Sequence, residues 1–118
     1  MRSKHRYLAV RIYTPDTPPS ESGFRNAIWE RLRELYGELG VSQIGFWLIS
    51  YHPSSQSAII RCQHDQIRPL RAGLATITQI EASSLLLHVV GISGTIRKVV
   101  TFLPGLDAKT VVRPRKYH

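Results

Sequence analysis

The chain has little of what would tie it to an extracellular or membrane setting. Cys62 is the one cysteine among 118 residues, which excludes an internal disulfide and favours a reducing compartment. No segment approaches the roughly 20 apolar residues of a membrane-spanning helix, and the basic N-terminus is followed by no long apolar stretch. We therefore expect a cytoplasmic protein without membrane contact, or a nuclear one if the source is eukaryotic.

Residue patterns for catalysis or metal binding are also sparse. Four acidic residues fall on one helical segment with several on its solvent side, and a catalytic acid pair needs a cleft, so we interpret them as a solvated face: Glu21, Glu30, Glu34 and Glu38. Cys62 and His64 offer two soft ligands, but two further ligands at suitable spacing are missing. We expect no catalytic residue, no cofactor and no metal bound by the protein, and a partly buried thiol at Cys62.

What the sequence has in excess is positive charge at both ends. Sixteen Lys and Arg against eight Asp and Glu give a net charge of +8. Residues 1–11 hold four basic and no acidic residues, and 97–118 hold six basic and one acidic residue, which leaves six basic and seven acidic residues in 12–96. Such clustering is costly unless a polyanion neutralises it. The ends therefore predict a nucleic-acid contact, and the alternative is a basic protein that its charge keeps soluble.

Hydrophobic periodicity predicts the element order β-α-β-β-α-β. Strands are predicted at 6–13, 44–51, 57–62 and 84–90, the last apolar throughout and therefore expected to be buried on both faces. The first helix is predicted over 21–39, with Ser20 or Ser22 as its N-cap and a left-handed Gly40 after its end. Its apolar stripe is Phe24, Ile28, Leu32, Leu35 and Leu39. The second helix follows Asp65, a candidate N-cap, with Ile67, Leu70, Leu74 and Ile77 as its apolar positions.

This order is typical of an α+β, ferredoxin-like sandwich that resembles RNA-recognition modules, in which two helices cover one face of a four-stranded antiparallel sheet. A short C-terminal helix is predicted to follow, with apolar positions Ile96, Val99, Val100 and Leu103. We assign 1–103 to a single domain and 104–118 to a basic C-terminal tail. RNA-binding domains, metabolite-sensing domains and some enzymes share this fold, so the fold does not decide the function.

The open face of the predicted sheet lacks the stacking motif of common RNA-recognition domains, because 57–62 contains no aromatic residue. Four residues would instead make that face apolar if they point toward it: Trp47, Ile49, Tyr51 and Ile59. An apolar face of this size is either a surface for a protein partner or the seat of the C-terminal helix. Both alternatives stay open.

Residues 91–98 combine two glycines, two hydroxyl side chains and two cations at the start of a predicted helix. Glycines let a backbone approach an anion closely, and a helix N-terminus presents N–H groups with a favourable dipole. The alternative is that Ser93 is a simple N-cap after a glycine turn. The C-terminal tail, with Tyr117 among its cations, suits either a segment that folds onto RNA or a solvated end. The residues predicted to contact RNA are Lys4, Arg6, Arg61, Ser93, Thr95, Arg97, Lys98, Arg113, Arg115 and Lys116.

Four segments of the sequence carry a resemblance to a known family. They are Lys4-His5-Arg6-Tyr7-Leu8; Ala27-Ile28-Trp29 leading to Gly37-Glu38-Leu39-Gly40; Trp47-Leu48-Ile49-Ser50-Tyr51 with Ala58-Ile59-Ile60-Arg61-Cys62; and Gly91-Ile92-Ser93-Gly94-Thr95-Ile96-Arg97-Lys98. In this order they resemble the archaeal and eukaryotic ribonuclease P protein component 2 family over about residues 4–103. The long acidic C-terminal extension of eukaryotic members is missing, so the chain resembles the archaeal type.

The resemblance implies a noncatalytic subunit of ribonuclease P that binds and stabilises the catalytic domain of the ribonuclease P RNA. The complex removes the 5′ leader from precursor tRNA with magnesium that acts together with the RNA. The implied partners are this RNA, a TIM-barrel-like protein subunit of the same enzyme, a second copy of the chain in a heterotetramer, and precursor tRNA as the substrate. Two other classes remain: a ferredoxin-like ligand-sensing or dimerisation domain unrelated to RNA processing, and a nuclease active without RNA.

Overall fold

The computed structural model shows the expected ferredoxin-like α+β sandwich, and it describes residues 4–106 and residue 111. Its six strands are β1 (His5–Tyr13), β2 (Trp47–His52), β3 (Ser57–Gln63), β4 (Gln79–Ile80), β5 (Ser83–Ser84) and β6 (Leu86–Ser93). Its three helices are α1 (Glu21–Ile44), α2 (Ile67–Ala75) and α3 (Ile96–Val99), and single turns of 3-10 helix lie at Pro53–Ser55 and Val100–Phe102.

The main sheet has the strand order β2-β3-β1-β6 with every pair antiparallel. The two central strands supply the core, and Leu8 and Ile60 face each other across the β1–β3 pair, fully buried. The prediction that the last strand is buried on both faces is wrong. Among the residues described, β6 is the edge strand beside β1, and along it Leu87 is buried whereas Leu86 and His88, on the other face, are exposed. The separate β4–β5 hairpin was not predicted from the sequence.

The first half of α1 agrees with its predicted apolar stripe, and the second half does not. Phe24, Ile28 and Leu32 are fully buried, whereas Leu35 and Leu39 are 46% and 73% exposed. For Leu39 the reason is Gly37, whose φ of 74° and ψ of 176° interrupt the helix and change the direction in which later side chains point. Leu35 lies before this break, beside the α1–α2 contact, and its Cδ1 atom is 3.8 Å from the position that a Cβ at Gly73 would take. Val41 and Ile44 then face the core, and the helix ends at a left-handed Gly45 instead of Gly40.

The α1–α2 contact covers one face of the main sheet. The hydroxyl of Tyr36 donates a 2.8 Å hydrogen bond to the carbonyl of Pro69. The helices approach closely at Gly73, where a Cβ atom would lie 2.7 Å from Cδ2 of Leu32. Asp65 is not the N-cap of α2, because the helix begins after Gln66 with no side-chain cap.

The opposite face of the sheet is covered by the C-terminal segment, which decides between the two alternatives left open above. Ile49 and Ile59 are buried in a second core with Ala9 of β1 and with four residues that follow β6 in the chain: Val99, Val100, Leu103 and Val111. A register shift in β2 sends Tyr51 to the other face, where its ring stacks on Phe24 at 4.8 Å. The four residues expected to share an apolar partner surface are therefore divided, and of that set only Trp47 is classed as exposed, at 38%.

Gly91 allows this second core to form. A Cβ atom at position 91 would overlap the ring of Phe102, so the absence of a side chain on β6 lets the ring lie against the strand. The space at Gly91, which was expected to let an anion approach, is therefore occupied by the ring of Phe102.

The β4–β5 hairpin stabilises the beginning of α1. Glu81, at the tip of the hairpin with a φ of 55°, accepts a 3.0 Å hydrogen bond from the backbone N–H of Ser20 and a 2.7 Å bond from its hydroxyl. The Ser20 hydroxyl oxygen in turn accepts from the N–H of Gly23 at 3.0 Å, which confirms Ser20 as the N-cap. These bonds, from the Ser20 backbone first and its hydroxyl second, lower the pKa of Glu81.

We expect Gly91→Ala to destabilise the fold by about 1 to 3 kcal/mol, because the added methyl group must displace the Phe102 ring. Gly94→Ala is the matched control, since the nearest atom to a Cβ there is Nη1 of Arg6 at 3.7 Å. Urea unfolding of both variants measures the difference. Equal stability of the two variants would contradict the role of Gly91.

We expect Glu81→Gln to lower the melting temperature near neutral pH and to lose this effect in acid. A carboxyl group whose pKa is depressed in the folded state stabilises that state above its unfolded pKa, and the contribution disappears as the pH falls through the folded pKa. Thermal unfolding of both proteins between about pH 3 and pH 7 tests this. A difference in melting temperature that is constant over this range would show that the charge of Glu81 contributes nothing.

Candidate nucleic-acid interface

One end of the main sheet collects cations from three separate parts of the chain. β1 starts where β3 and β6 end, so Tyr7 lies opposite both Arg61 and Ser93. The N–H of His64 donates a 3.0 Å hydrogen bond to the carbonyl of Lys4, which ties the chain end to the end of β3. We call this end the basic edge and define it by the cations Lys4, Arg6, Arg61, Arg97 and Lys98.

Gly94 connects the two sides of the basic edge. It follows β6 directly, and Nη1 of Arg6 lies 3.7 Å from the position that a Cβ at Gly94 would take. Arg97 and Lys98 follow in α3 and are exposed, as is Lys4, whereas Arg6 and Arg61 are half-buried. Seven of the ten residues predicted to contact RNA therefore lie at this end: the five cations together with Ser93 and Thr95.

Ion pairing distinguishes the basic edge from the surface of α1. On α1, Arg25, Arg31 and Arg33 pair with the exposed carboxylates of the predicted solvated face at 2.9 to 3.6 Å: Glu21, Glu30, Glu34 and Glu38. Among residues 4–106, by contrast, no carboxylate pairs with Lys4, Arg6, Arg97 or Lys98. The ion pairs found in this part of the chain thus lie on α1, away from these four cations. The positive charge of the four cations is therefore available to an anion.

The pKa of His5 reflects its surroundings at the basic edge. Burial lowers the pKa of His5, and the charges of Arg61 and then His64 lower it further. A protonated imidazole is disfavoured at a site that already holds positive charge. Burial and the neighbouring positive charge therefore both favour the neutral imidazole of His5.

The loop between β6 and α3 satisfies its own backbone groups. The hydroxyl oxygen of Thr95 accepts a 3.2 Å hydrogen bond from the N–H of Lys98, and that of Ser93 accepts a 3.3 Å bond from the N–H of Thr95. The N-cap of α3 is thus Thr95 and not Ser93. The Phe102 ring lies against Gly91 and prevents an anion from approaching there. An anion can approach the loop at Gly94, next to the cations of the basic edge.

Tyr7 is a residue of this end that the sequence reasoning missed. The alternation in 6–13 places it on the same face as Ala9, but its position between Arg61 and Ser93 requires the strand register. Trp47 pairs with Arg61 on the other side, so a cross-strand row runs from Trp47 through Arg61 and Tyr7 to Ser93. The predicted tail residues Arg113, Arg115 and Lys116 lie outside the described residues.

Cys62 is buried in the core beneath the helices, and burial raises the pKa of its thiol to about 11. His64 is exposed, and within the described part of the chain no group of three or more His, Cys, Asp or Glu residues is arranged to hold a metal ion. None of the helices described is both long enough and apolar enough to cross a membrane.

A family model and curated relatives with similar sequences both match this chain. The model of the Rpp14/Pop5 family matches residues 6–103. Ribonuclease P protein component 2 of Pyrococcus abyssi is 31% identical over 99 residues, which cover 84% of this chain and 83% of that protein. The protein of the same name from Halorubrum lacusprofundi is 33% identical over 100 residues, covering 82% of this chain and 63% of that one.

A solved structure shares the fold. A chain in the cryo-EM structure of yeast ribonuclease MRP superposes with a TM-score of 0.64 at 15% identity, covering 82% of this chain and 79% of that one. The ferredoxin-like arrangement described above is therefore also found in an experimentally determined structure.

We expect the pKa of His5 to lie below its ordinary value of 6.5 and to rise partway back in Arg61→Gln. The rise is incomplete because burial, the largest cause of the shift, remains. NMR titration of the imidazole at low salt measures this, with Arg25→Gln on α1 as the control. A midpoint that Arg61→Gln leaves unchanged would mean that the arginine does not act on His5.

Proposed function

Since the chain belongs to the Rpp14/Pop5 family of ribonuclease P and MRP protein subunits, we propose that its basic edge binds RNA within ribonuclease P. In this proposal the chain is a noncatalytic subunit that stabilises the catalytic domain of the ribonuclease P RNA and so supports removal of the 5′ leader from precursor tRNA. The observation that carries the proposal is the convergence of cations from both β1 and α3 at one end of the sheet.

The contribution of the protein is electrostatic. Phosphates of RNA segments that fold against each other repel, and cations placed between the segments reduce this repulsion. Arg6 and Arg61 are half-buried on strands and hold their guanidinium groups near fixed positions, whereas Arg97 and Lys98 are exposed on the adjoining helix. A planar guanidinium contacts phosphate bidentately or stacks on a base, so the arginines suit a folded RNA surface.

The chemistry of cleavage is assigned to the RNA and its magnesium in this proposal, and the protein binds no cofactor. The carboxylates of α1 pair with arginines of the same helix, which suits a solvated surface better than a catalytic centre. The role of the chain is to position RNA rather than to move protons.

The proposal includes protein partners. They are a TIM-barrel-like subunit of ribonuclease P and a second copy of this chain in a heterotetramer, with precursor tRNA as the substrate of the complex, in the cytoplasm or in the nucleus if the source is eukaryotic. Leu35 and Leu39 support a protein contact, because both are large apolar side chains that lie exposed on α1.

We expect Arg97→Ala with Lys98→Ala to weaken binding of the cognate ribonuclease P RNA by about tenfold or more, and to reduce the slope of log affinity against log salt by about 1.5. Filter binding at several KCl concentrations measures both quantities. Cleavage of precursor tRNA at magnesium levels too low for the RNA alone should fall in parallel. Arg25→Ala with Arg33→Ala removes the same charge from α1 and is the control.

Three outcomes would contradict the proposal. Equal losses in the two double variants would mean that net charge acts and the basic edge does not. Absent or salt-independent RNA binding would favour the ligand-sensing class. Cleavage of RNA by the protein alone in magnesium would make it a nuclease in its own right.

A further inference from the structure

α2 carries two arginines that the proposed interface does not use. Arg68 and Arg71 are exposed, and no carboxylate of residues 4–106 pairs with either of them. The arginines of α1 behave differently, since each has a glutamate within 4 Å. Two cations one helical turn apart that have no carboxylate within 4 Å are costly on a surface unless an anion meets them.

The same two arginines line a hollow of about 600 Å³, together with Ile67 and Ala72. All four residues lie on α2 and the hollow is largely open to solvent, so it can contact one side of a ligand but cannot enclose it. Its lining therefore combines two guanidinium groups with apolar side chains. A group that fills it needs both negative charge and an apolar surface.

The hollow lies next to the basic edge along the chain. β3 ends at Gln63, His64 is bonded through its N–H to the carbonyl of Lys4, and α2 begins at Ile67. α3 adjoins the edge from one face of the sheet and α2 from the other. α2 therefore begins at the same end of the sheet as the basic edge. A polyanion that covers this edge can extend to Arg68 and Arg71.

We propose that this hollow is a second RNA contact, one that takes a single unpaired nucleotide of the RNA; the inference rests on the function proposed above. The nucleotide would place its phosphate against one guanidinium and its base against Ile67, Ala72 and the other guanidinium. Arginine planes and apolar side chains both accept a base face. Bases within a duplex are stacked and paired, so only an unpaired nucleotide presents such a face to a hollow.

Charge favours RNA over the other possible occupants. A second copy of this chain carries a net charge of +8, so the self-association proposed above would use a surface other than these arginines. An acidic segment of a protein partner would match the charge, but it lacks a planar apolar face for Ile67 and Ala72. That segment is an outcome of the test.

The first experiment compares Arg68→Ala with Arg71→Ala against the α1 control Arg25→Ala with Arg33→Ala, using the cognate ribonuclease P RNA as the probe. We expect the α2 variant to bind about tenfold or more weakly and to reduce the salt slope by about 1 to 1.5. Circular dichroism of both variants checks that they are folded. If the α2 variant binds like the control while wild type binds tightly, this inference is overturned and the proposed function stands.

The second experiment identifies what enters the hollow. Ala72→Cys carries a photo-crosslinking maleimide, and Asn26→Cys, exposed on α1, is its matched control. The native Cys62 does not compete for the label, because it is buried with a pKa of about 11. We expect position 72 to crosslink to an unpaired nucleotide and position 26 to give no such crosslink.

Crosslinks from position 72 to base-paired nucleotides, or to a protein subunit of the assembled enzyme, would overturn the inference. Failure of wild type to bind the RNA at all would overturn the proposed function and this inference with it. The affinity of wild type therefore separates the two failures.

Discussion

Backbone pairing of β1 with β3 on one side and with β6 on the other brings the described residues of the basic edge together. The antiparallel register brings the first residues of β1 to the last residues of both neighbours. Lys4 and Arg6 are far in sequence from Arg61 and from the loop after Ser93, yet they meet at one end of the sheet. A shift of one residue would turn Arg61 and Tyr7 toward the core and destroy the cluster.

Both faces of the sheet are occupied within the chain, and this decides what kind of contact remains available. RNA-recognition modules of the common type stack bases on the open sheet face. Here α3 and the following turn bury Ile49 and Ile59 on that face. In the proposed function, contact with RNA therefore uses the end of the sheet and the helix starts beside it, where charge rather than base stacking dominates.

Much of this fold could be predicted from local patterns. The alternation in β1, the Ser20 cap and the apolar positions of α3 are properties of short segments, and the structure agrees with each of them. The errors arose where hydrophobic periodicity does not contain the answer. The contact between Gly91 and Phe102 is a property of tertiary packing, and the break at Gly37 is a positive-φ backbone conformation inside a helix.

The candidate site shows the same division. Charge counting identified the cations of the two chain ends, because clustering is visible in composition. The row that joins Trp47, Arg61 and Tyr7 required the strand register, and Arg68 and Arg71 required a comparison of ion pairs on two helices. Both observations require the three-dimensional structure, because each compares segments that are far apart in the sequence.

The positions of Arg6 and Arg61 on paired strands have an energetic consequence for the isolated subunit. Both side chains are half-buried, so fewer rotamers remain to be lost when an anion binds them. Clustered positive charge also lowers the stability of the free protein at low ionic strength, where the charges are least screened. In the proposed complex the RNA would neutralise this charge, so the protein alone should be the less stable form.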